Sequence, residues 1–200
     1  MLKQIRPALM LMIAFTVITG LAYPLAITGI AKVLFPYQAD GSLIERDGKV
    51  IGSELIGQNF TDAKYFHSRP SATTDTDPND ATKTVPAPYN AQNSSGSNYA
   101  PTAKALVDRV KGDADTLKAE NSAPIPVDLI TTSASGLDPD ITPASAAFQV
   151  PTVAKARNLS VEKVQQLVDD NTEGRTLGLL GEKRVNVLKL NLALDALAAK

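Results

Sequence analysis

The sequence contains no cysteine and no tryptophan, and its single histidine is His67. Without cysteine the chain can form neither disulfide bonds nor cysteine-ligated zinc sites, and one histidine excludes a metal site built from several histidines of this chain. Aromatic residues make up only 5% of the chain, so the core must consist mainly of Val, Leu, Ile and Ala. A formal net charge of −1 without a basic stripe argues against a nucleic-acid-binding protein.

Charge is also absent from residues 7–31, a run of 25 residues near the N-terminus. A bilayer core requires about 20 apolar residues, so this run is long enough to span a membrane. A cleaved signal peptide is the alternative, because the small residues at 20–22 resemble a cleavage site. The apolar run continues past that site to Phe35, which favours an uncleaved transmembrane helix over residues 7–35.

The flanking charges predict the direction of this helix. Lys3 and Arg6 precede it, and positive residues stay on the cytoplasmic side of a membrane. Residues 1–6 are therefore predicted to be cytoplasmic and residues 36–200 to lie outside. The outer part carries 17 Lys and Arg against 21 Asp and Glu, a net charge of −4.

The predicted helix carries small residues that a simple tether does not need. The candidates for packing against another transmembrane helix are Thr16, Gly20, Ala22, Pro24 and Ala26. Small residues allow two helix backbones to approach closely in lipid. Pro24 should kink the helix and leave one backbone group unpaired. An unpaired group is easier to tolerate where another helix packs beside it. Ordinary compositional scatter is the alternative.

The outer part is predicted to be an α+β domain with few strands and several helices, preceded by the one transmembrane helix. We expect a hairpin at 41–53 turning at Asp47-Gly48 and a long polar surface loop at 71–101. Short strands are expected at 127–130 and 185–188, with a loop at 172–180. Helices are expected at 102–118, from Pro143, after Ser160, and at 190–199.

His67 and Ser68 are adjacent, which invites a catalytic interpretation. Side chains of neighbouring residues usually diverge, and the Gly-x-Ser-x-Gly elbow of serine hydrolases is absent from the sequence. The pair more plausibly fixes a turn or a contact surface, although the members of a catalytic triad meet only in space.

The segment 131–149 is rich in hydroxyl groups and precedes a predicted helix, as phosphate-binding loops do. Asp138 and Asp140 would repel phosphate there and would instead favour the positive end of the helix dipole. Thr142 is a suitable N-cap, and Pro143 suits the first helical position. The segment is therefore interpreted mainly as a turn followed by a capped helix.

Several longer motifs, in order, resemble the C subunit family of the bacterial Kdp potassium-transporting ATPase. The resemblance covers nearly the whole chain except 73–100 and 172–184. The motifs are Arg6-Pro7-Ala8, Gly20 with Tyr23-Pro24, the segments 41–44, 55–60 and 65–72, Thr132–Asp138, Ile141–Pro143, 153–157 and 190–195.

This resemblance implies a subunit without catalytic activity of its own in the inner membrane of a bacterium, and the charges flanking the helix predict that its main domain lies in the periplasm. The implied partners are a channel-like potassium-binding subunit, a P-type ATPase catalytic subunit and a very small membrane subunit, together with the lipid bilayer. Potassium is the transported ion, and no cofactor is assigned to this chain itself. A free-standing, membrane-anchored periplasmic enzyme or binding protein is the alternative.

The family resemblance further implies a role as a catalytic chaperone that raises the affinity of the ATPase subunit for ATP. The implied nucleotide-binding residues are Gln149 and, in the small-residue run before it, Ser145. The positive-inside rule places both residues outside the cytoplasm, where ATP is scarce. The two lines of argument therefore disagree about a direct contact with nucleotide.

Overall fold

The computed structural model describes residues 2–198, and the chain divides between Ser53 and Glu54 into two units. The first unit contains a continuous helical run, Ile5–Leu34, after a short 3₁₀ turn at Leu2–Gln4. Among the described residues, this run is the one helix long and apolar enough to cross a membrane. It includes all of the predicted anchor except residue 35.

The helical run is interrupted near its middle by a wider turn. Helix α1 (Ile5–Val17) and helix α2 (Tyr23–Leu34) are joined by a π-helical segment, Ile18–Ala22. Pro24 has no N–H group and cannot bond to the carbonyl four residues before it. The preceding N–H, that of Tyr23, bonds to the Ile18 carbonyl, five residues back. The irregularity expected at the proline is therefore a π turn placed just before it.

The first unit ends in a short helix and a hairpin. Helix α3 (Pro36–Ala39) is followed by strands β1 (Leu43–Arg46) and β2 (Lys49–Ser53), which pair antiparallel. Asp47 has φ +53° and Gly48 φ +72°, the left-handed conformation that a type I′ turn requires at both positions. The predicted hairpin and its turn are confirmed.

The second unit confirms the α+β fold class. Its helices are α4 (Lys104–Glu120), α5 (Pro143–Arg157), α6 (Val161–Asp170) and α7 (Val187–Ala198). Strands β3 (Thr74–Asp77) and β4 (Asp80–Pro86) form a hairpin, and β5 (Asp140–Ile141), β6 (Thr172–Glu173) and β7 (Arg184–Asn186) form a sheet in the order β5-β7-β6.

The core of the second unit lies where α5, α6 and α7 meet β5 and β7. Its buried side chains are almost all aliphatic, as the composition requires, with Phe66 as the aromatic exception. The others are Ile141, Ala146, Val150, Val153, Ala154, Val164, Val168, Val185, Val187, Leu190 and Leu194. Helix α4 has the predicted position, shifted by two residues, but contributes no fully buried side chain.

The prediction of a surface loop throughout 71–101 is wrong for residues 74–86, which form the β3–β4 hairpin. The hairpin is polar on both faces, with Thr76, Thr82 and Lys83 exposed. A strand that buries neither face shows no alternation of apolar and polar residues, so the usual strand signal was missing. The β-branched threonines still suit an extended backbone.

The strand predicted at 127–130 is also wrong, because Val127–Leu129 form a 3₁₀ turn. Asp128 and Leu129 are both buried, whereas successive residues of a strand point to opposite faces.

The strand predicted at 185–188 ends at Asn186, and the last helix begins earlier than predicted, at Val187. The Asn186 side chain explains this shift, because its Oδ1 accepts a hydrogen bond from the Lys189 N–H at 3.1 Å, as an N-cap does. The predicted loop at 172–180 begins with strand β6. Residue 199, the predicted end of the last helix, lies outside the described residues.

Candidate functional site

Gln149 lies at the end of the second turn of α5, and its side-chain amide is bonded entirely to the protein backbone. Its Oε1 accepts a hydrogen bond from the His67 N–H at 2.7 Å, and its Nε2 donates to the His67 carbonyl at 3.1 Å. The same Nε2 also lies 3.3 Å from the Ser145 carbonyl. The residue is only 8% exposed. The amide thus substitutes for a neighbouring strand at residue 67.

A second amide makes the same pair of bonds to the preceding residue. Asn191, on α7, accepts from the Phe66 N–H at 2.8 Å and donates to the Phe66 carbonyl at 2.9 Å. Residues 66 and 67 belong to an irregular segment that is not part of a sheet, and buried backbone groups must be paired. Two amides from two helices satisfy four of these groups, and we call Gln149 and Asn191 the amide clamps.

Ionic and aromatic contacts fix the residues just before the clamps. The Tyr65 hydroxyl donates to Asp195 at 3.1 Å, and Arg157 donates to the same carboxylate at 2.7 Å. The Arg157 guanidinium also lies 4.7 Å from the centre of the Tyr65 ring, within the range of a cation–π contact. Arg157 Nε donates to the Lys64 carbonyl at 2.8 Å. The segment 64–67 is therefore attached to both α5 and α7.

His67 and Ser68 do not combine into a catalytic arrangement. The His67 ring donates through Nε2 to the Asp62 carbonyl at 3.2 Å, while the Ser68 hydroxyl donates to the Gln58 carbonyl at 3.1 Å. Both side chains therefore bond to backbone, and the interpretation of this pair as a device that fixes a turn agrees with the geometry.

Ser145, the other residue implicated in nucleotide binding, is fully buried at the start of α5. Its hydroxyl donates to Asp128 Oδ1 at 2.5 Å, and its N–H is capped by the Thr142 hydroxyl at 3.1 Å. Asp128 also accepts the Thr142 N–H at 2.9 Å and lies 3.2 Å from the Thr142 hydroxyl. The expected cap at Thr142 is confirmed, and a buried carboxylate completes it.

Asp128 occupies the place at the helix N-terminus that the sequence assigned to other aspartates. Asp138 instead pairs with Arg69 at 2.9 Å, and Asp140 lies 3.3 Å from Arg184. Burial is the main cause that raises the pKa of Asp140, and the nearby Arg184 partly offsets it. Since one carboxylate already stands at the positive end of α5, an added phosphate there would meet a like charge.

The hydroxyl-rich turn before α5 packs tightly against the segment 71–95. The Ser133 hydroxyl accepts the Gly136 N–H at 2.8 Å, and the Ser71 hydroxyl donates to the Gly136 carbonyl at 2.7 Å. Gly136 has φ +68°, and a Cβ atom there would lie 2.5 Å from Thr73 Cγ2. Only glycine fits this position without a clash, so the loop is held in close contact with residues 71–95.

A cleft of about 510 Å³ opens beside Gln149, between the segment 59–71 and helices α4 and α5. Arg69 and Arg109 line it, and each is neutralised by one carboxylate, that of Asp138 and of Asp113 respectively. The Nε atom of each arginine is buried without a hydrogen-bond partner in the described chain. Within residues 2–198 no group of three or more acidic, histidine or cysteine side chains is arranged to hold a metal ion.

The five candidate packing residues all lie along the apolar helix and are exposed. Thr16 donates its hydroxyl to the Met12 carbonyl at 2.8 Å, so its polar group is satisfied within its own helix. A Cβ atom added at Gly20 would meet nothing within 4 Å. Gly20 and Ala22 belong to the π segment, while Pro24 and Ala26 follow it on α2.

Sequence reasoning located Gln149 and Ser145 but not the groups that they contact. Asn191, Asp128 and Asp195 were missed as partners because they lie 14 to 130 residues away from the groups they bind. The available signal was a polar residue between apolar ones, as Asn191 is between Leu190 and Leu192.

Comparison with known proteins gives a match over nearly the whole chain. The family model described as KdpC, the c chain of K⁺-transporting ATPase, matches residues 5–196. A potassium-transporting ATPase KdpC subunit from Bradyrhizobium diazoefficiens is 71% identical over 201 residues, covering all of both chains. A protein of the same name from Rhodopseudomonas palustris is 70% identical, and the match covers 98% of this chain and 99% of the relative. One from Methylobacterium nodulans is 65% identical, and the match covers all of both chains.

Proposed function

The chain belongs to the KdpC family, the c chain of the K⁺-transporting ATPase, and we propose that it is a non-catalytic accessory subunit needed to assemble this complex. The proposal rests on the match from residue 5 to residue 196, which includes the apolar helix and all but the last four residues of the second unit. It agrees with the geometry, because the candidate catalytic and ligand-binding side chains bond to one another and to the backbone.

The proposed partners are the channel-like potassium-binding subunit, the P-type ATPase catalytic subunit and the small membrane subunit. The complex carries potassium as cargo and hydrolyses ATP on the catalytic subunit. The chain would contribute a membrane helix and an ordered outer domain, and both would hold the other subunits in register.

The apolar helix is the proposed contact within the membrane, through Thr16, Gly20, Ala22, Pro24 and Ala26. Their exposure and the open space at Gly20 leave room for a second helix backbone. The variant Gly20→Leu with Ala22→Leu should release the chain from the other subunits during purification in detergent.

The matched control for this variant is Ala14→Leu. Ala14 is also small and exposed on α1, but it lies roughly 120° around the helix from Gly20 and roughly 80° from Ala22. The control should co-purify normally. Equal retention of both variants would contradict the packing proposal.

We place the N-terminus in the cytoplasm and the second unit in the periplasm of a bacterial inner membrane. Lys3 and Arg6 before the helix support this direction. The chain has no cysteine, so Ala119→Cys, at an exposed position on α4, gives a single label site. An impermeant thiol reagent should label it in spheroplasts from outside. Labelling only after lysis would reverse the orientation.

The finer proposal is that Gln149 and Ser145 raise the affinity of the complex for ATP. Both side chains already have internal partners, so we propose that any such effect passes through the clamped segment 64–67 rather than through contact with nucleotide. The comparison of Gln149→Ala with Asn191→Ala separates the two routes. Asn191 makes the same type of clamp one residue away but does not line the cleft.

If the effect passes through the clamped segment, both variants should weaken the apparent ATP affinity of the assembled complex. A direct contact predicts a loss for Gln149→Ala alone. If neither variant changes the ATP affinity, the residues serve only the fold, and the proposal of an accessory assembly role is unaffected.

A further inference from the structure

Three leucines at the tip of one loop are presented to the surroundings. Leu177, Leu179 and Leu180 are 87%, 80% and 65% exposed, and we call them the leucine tip. They belong to a run of exposed residues, 174–183, that connects strands β6 and β7. Large apolar side chains clustered in this way on a surface mark sites of contact with another molecule or a membrane.

The tip is an ordered turn. The N–H of Thr176 donates to the Leu180 carbonyl at 2.8 Å, and the N–H of Leu180 donates to the Thr176 carbonyl at 3.0 Å. Below this pair, Arg175 bonds both oxygens of Glu182 at 2.7 Å. The exposure of the leucines is therefore fixed by hydrogen bonds and an ion pair at the base of the loop.

The backbone of the tip is strained in order to present these side chains. Leu177 has φ +55°, a left-handed conformation that a leucine rarely adopts. The other residues with side chains at positive φ in the described chain are Ser, Asp, Asn or Tyr. If this turn only connected two strands, glycine or asparagine at position 177 would give a less strained backbone than leucine does.

The chemistry of the tip suits lipid better than a protein surface. Protein interfaces depend on aromatic and arginine anchors, with leucine under-represented among them, and bury about 800 Å² on each partner. Three aliphatic side chains flanked by glycines supply neither the anchors nor that area. Lipid acyl chains require no matching shape, and aliphatic side chains enter them readily.

The bilayer is also a surface that this chain always has nearby. Residues 35–53 separate the apolar helix from the second unit, so a membrane that holds the helix stays within reach of the domain. Such tethering makes a weak contact effective. Lys183, next to the tip, is exposed and forms no ion pair within residues 2–198, so its charge is available to anionic headgroups.

We propose that the leucine tip inserts into the interfacial layer of the bilayer that holds the chain, with Lys183 at the level of the headgroups. This contact does not depend on the accessory role proposed above, and it gives the second unit an attachment to the membrane besides its N-terminal helix.

The test uses the full-length chain in vesicles of phosphatidylcholine and phosphatidylglycerol. Leu179→Cys provides a single site for a nitroxide label, because the chain has no cysteine. Relaxation of the label by oxygen, which concentrates in the acyl region, is compared with relaxation by a nickel chelate, which stays in water. At position 179, relaxation of the label by oxygen should exceed relaxation by the nickel chelate severalfold.

The matched control is Ala81→Cys, at an exposed position of the polar β3–β4 hairpin. At position 81, relaxation by the nickel chelate should exceed relaxation by oxygen. The measurement is repeated with the labelled chain in the assembled ATPase, where the oxygen preference at position 179 should persist.

Two outcomes would overturn the proposal. A nickel preference at position 179 like that at position 81 would place the tip in water. Loss of access to both reagents in the assembled ATPase would show that another subunit covers the tip.

Discussion

Replacing Asp128 with alanine should destabilise the second unit more than removing any single hydrogen bond. The buried carboxylate accepts hydrogen bonds from the Thr142 N–H, the Thr142 hydroxyl and the Ser145 hydroxyl. Hydrogen bonds to a charged group contribute about 1.5–3 kcal/mol each, although losses within one network are not additive. The substitution also leaves donors buried at the start of α5. We expect a loss of about 3 kcal/mol.

The assay is thermal unfolding of the full-length chain in detergent, followed by circular dichroism at 222 nm. For a domain of this size, 1 kcal/mol corresponds to about 2–4 °C, so the midpoint should fall by about 6–12 °C. Thr142→Ala removes the cap and should cost about 1 kcal/mol. Asp115→Ala, at an exposed position on α4, should change stability by less than about 0.5 kcal/mol.

The result that would refute this reasoning is an Asp128→Ala midpoint no lower than that of Thr142→Ala. It would mean that the carboxylate does not organise the start of α5 and that the cap alone accounts for the helix boundary. The position of Ser145 would then need another explanation, and its availability to a ligand would have to be reconsidered.

Two further predictions follow from the same unit. Gly136→Ala places a Cβ atom 2.5 Å from Thr73 Cγ2 at a residue with left-handed backbone, so it should destabilise the unit by about 2–3 kcal/mol. The control Gly178→Ala has φ +75° but no atom within 4 Å of the added Cβ, so it should destabilise the unit by only about 1 kcal/mol. Burial raises the pKa of Tyr89 to about 12, and its hydroxyl donates to the Arg69 carbonyl at 2.7 Å. Because ionisation is disfavoured in the folded state, the stability that depends on Tyr89 should be intact below pH 10 and fall as the pH rises toward 12. Absorbance titration at 295 nm should show this late tyrosine in the native chain and not in Tyr89→Phe, and a native titration complete near pH 10 would contradict it.

Local signals predicted the starts of α5 and α6, although the same kind of cap at Asn186, before α7, was missed. Thr142 and Ser160 cap their helices as expected, and both accept the N–H three residues on. Asp47-Gly48 turns the first hairpin because both residues tolerate positive φ. In each case the interacting groups lie within a few residues, so the sequence itself contains the whole interaction.

Predictions were wrong where burial, rather than local propensity, decides the conformation. Val127 and Leu129 are apolar enough for a strand. The Asp128 carboxylate, however, points inward and accepts a hydrogen bond at the start of α5, and the backbone forms a 3₁₀ turn instead. The β3–β4 hairpin buries neither face, so the pattern that normally identifies a strand was absent.

The candidate site shows the same division. The sequence by itself determined the apolar helix, the aliphatic composition of the core, the α+β class and the family, since these depend on residue type and order along the chain. Only the tertiary structure decided that Gln149 and Asn191 hold the backbone of residues 66 and 67 and that Ser145 serves Asp128. Their partners lie up to 125 residues apart, and buried polar groups are assigned to one another by packing rather than by spacing in the sequence.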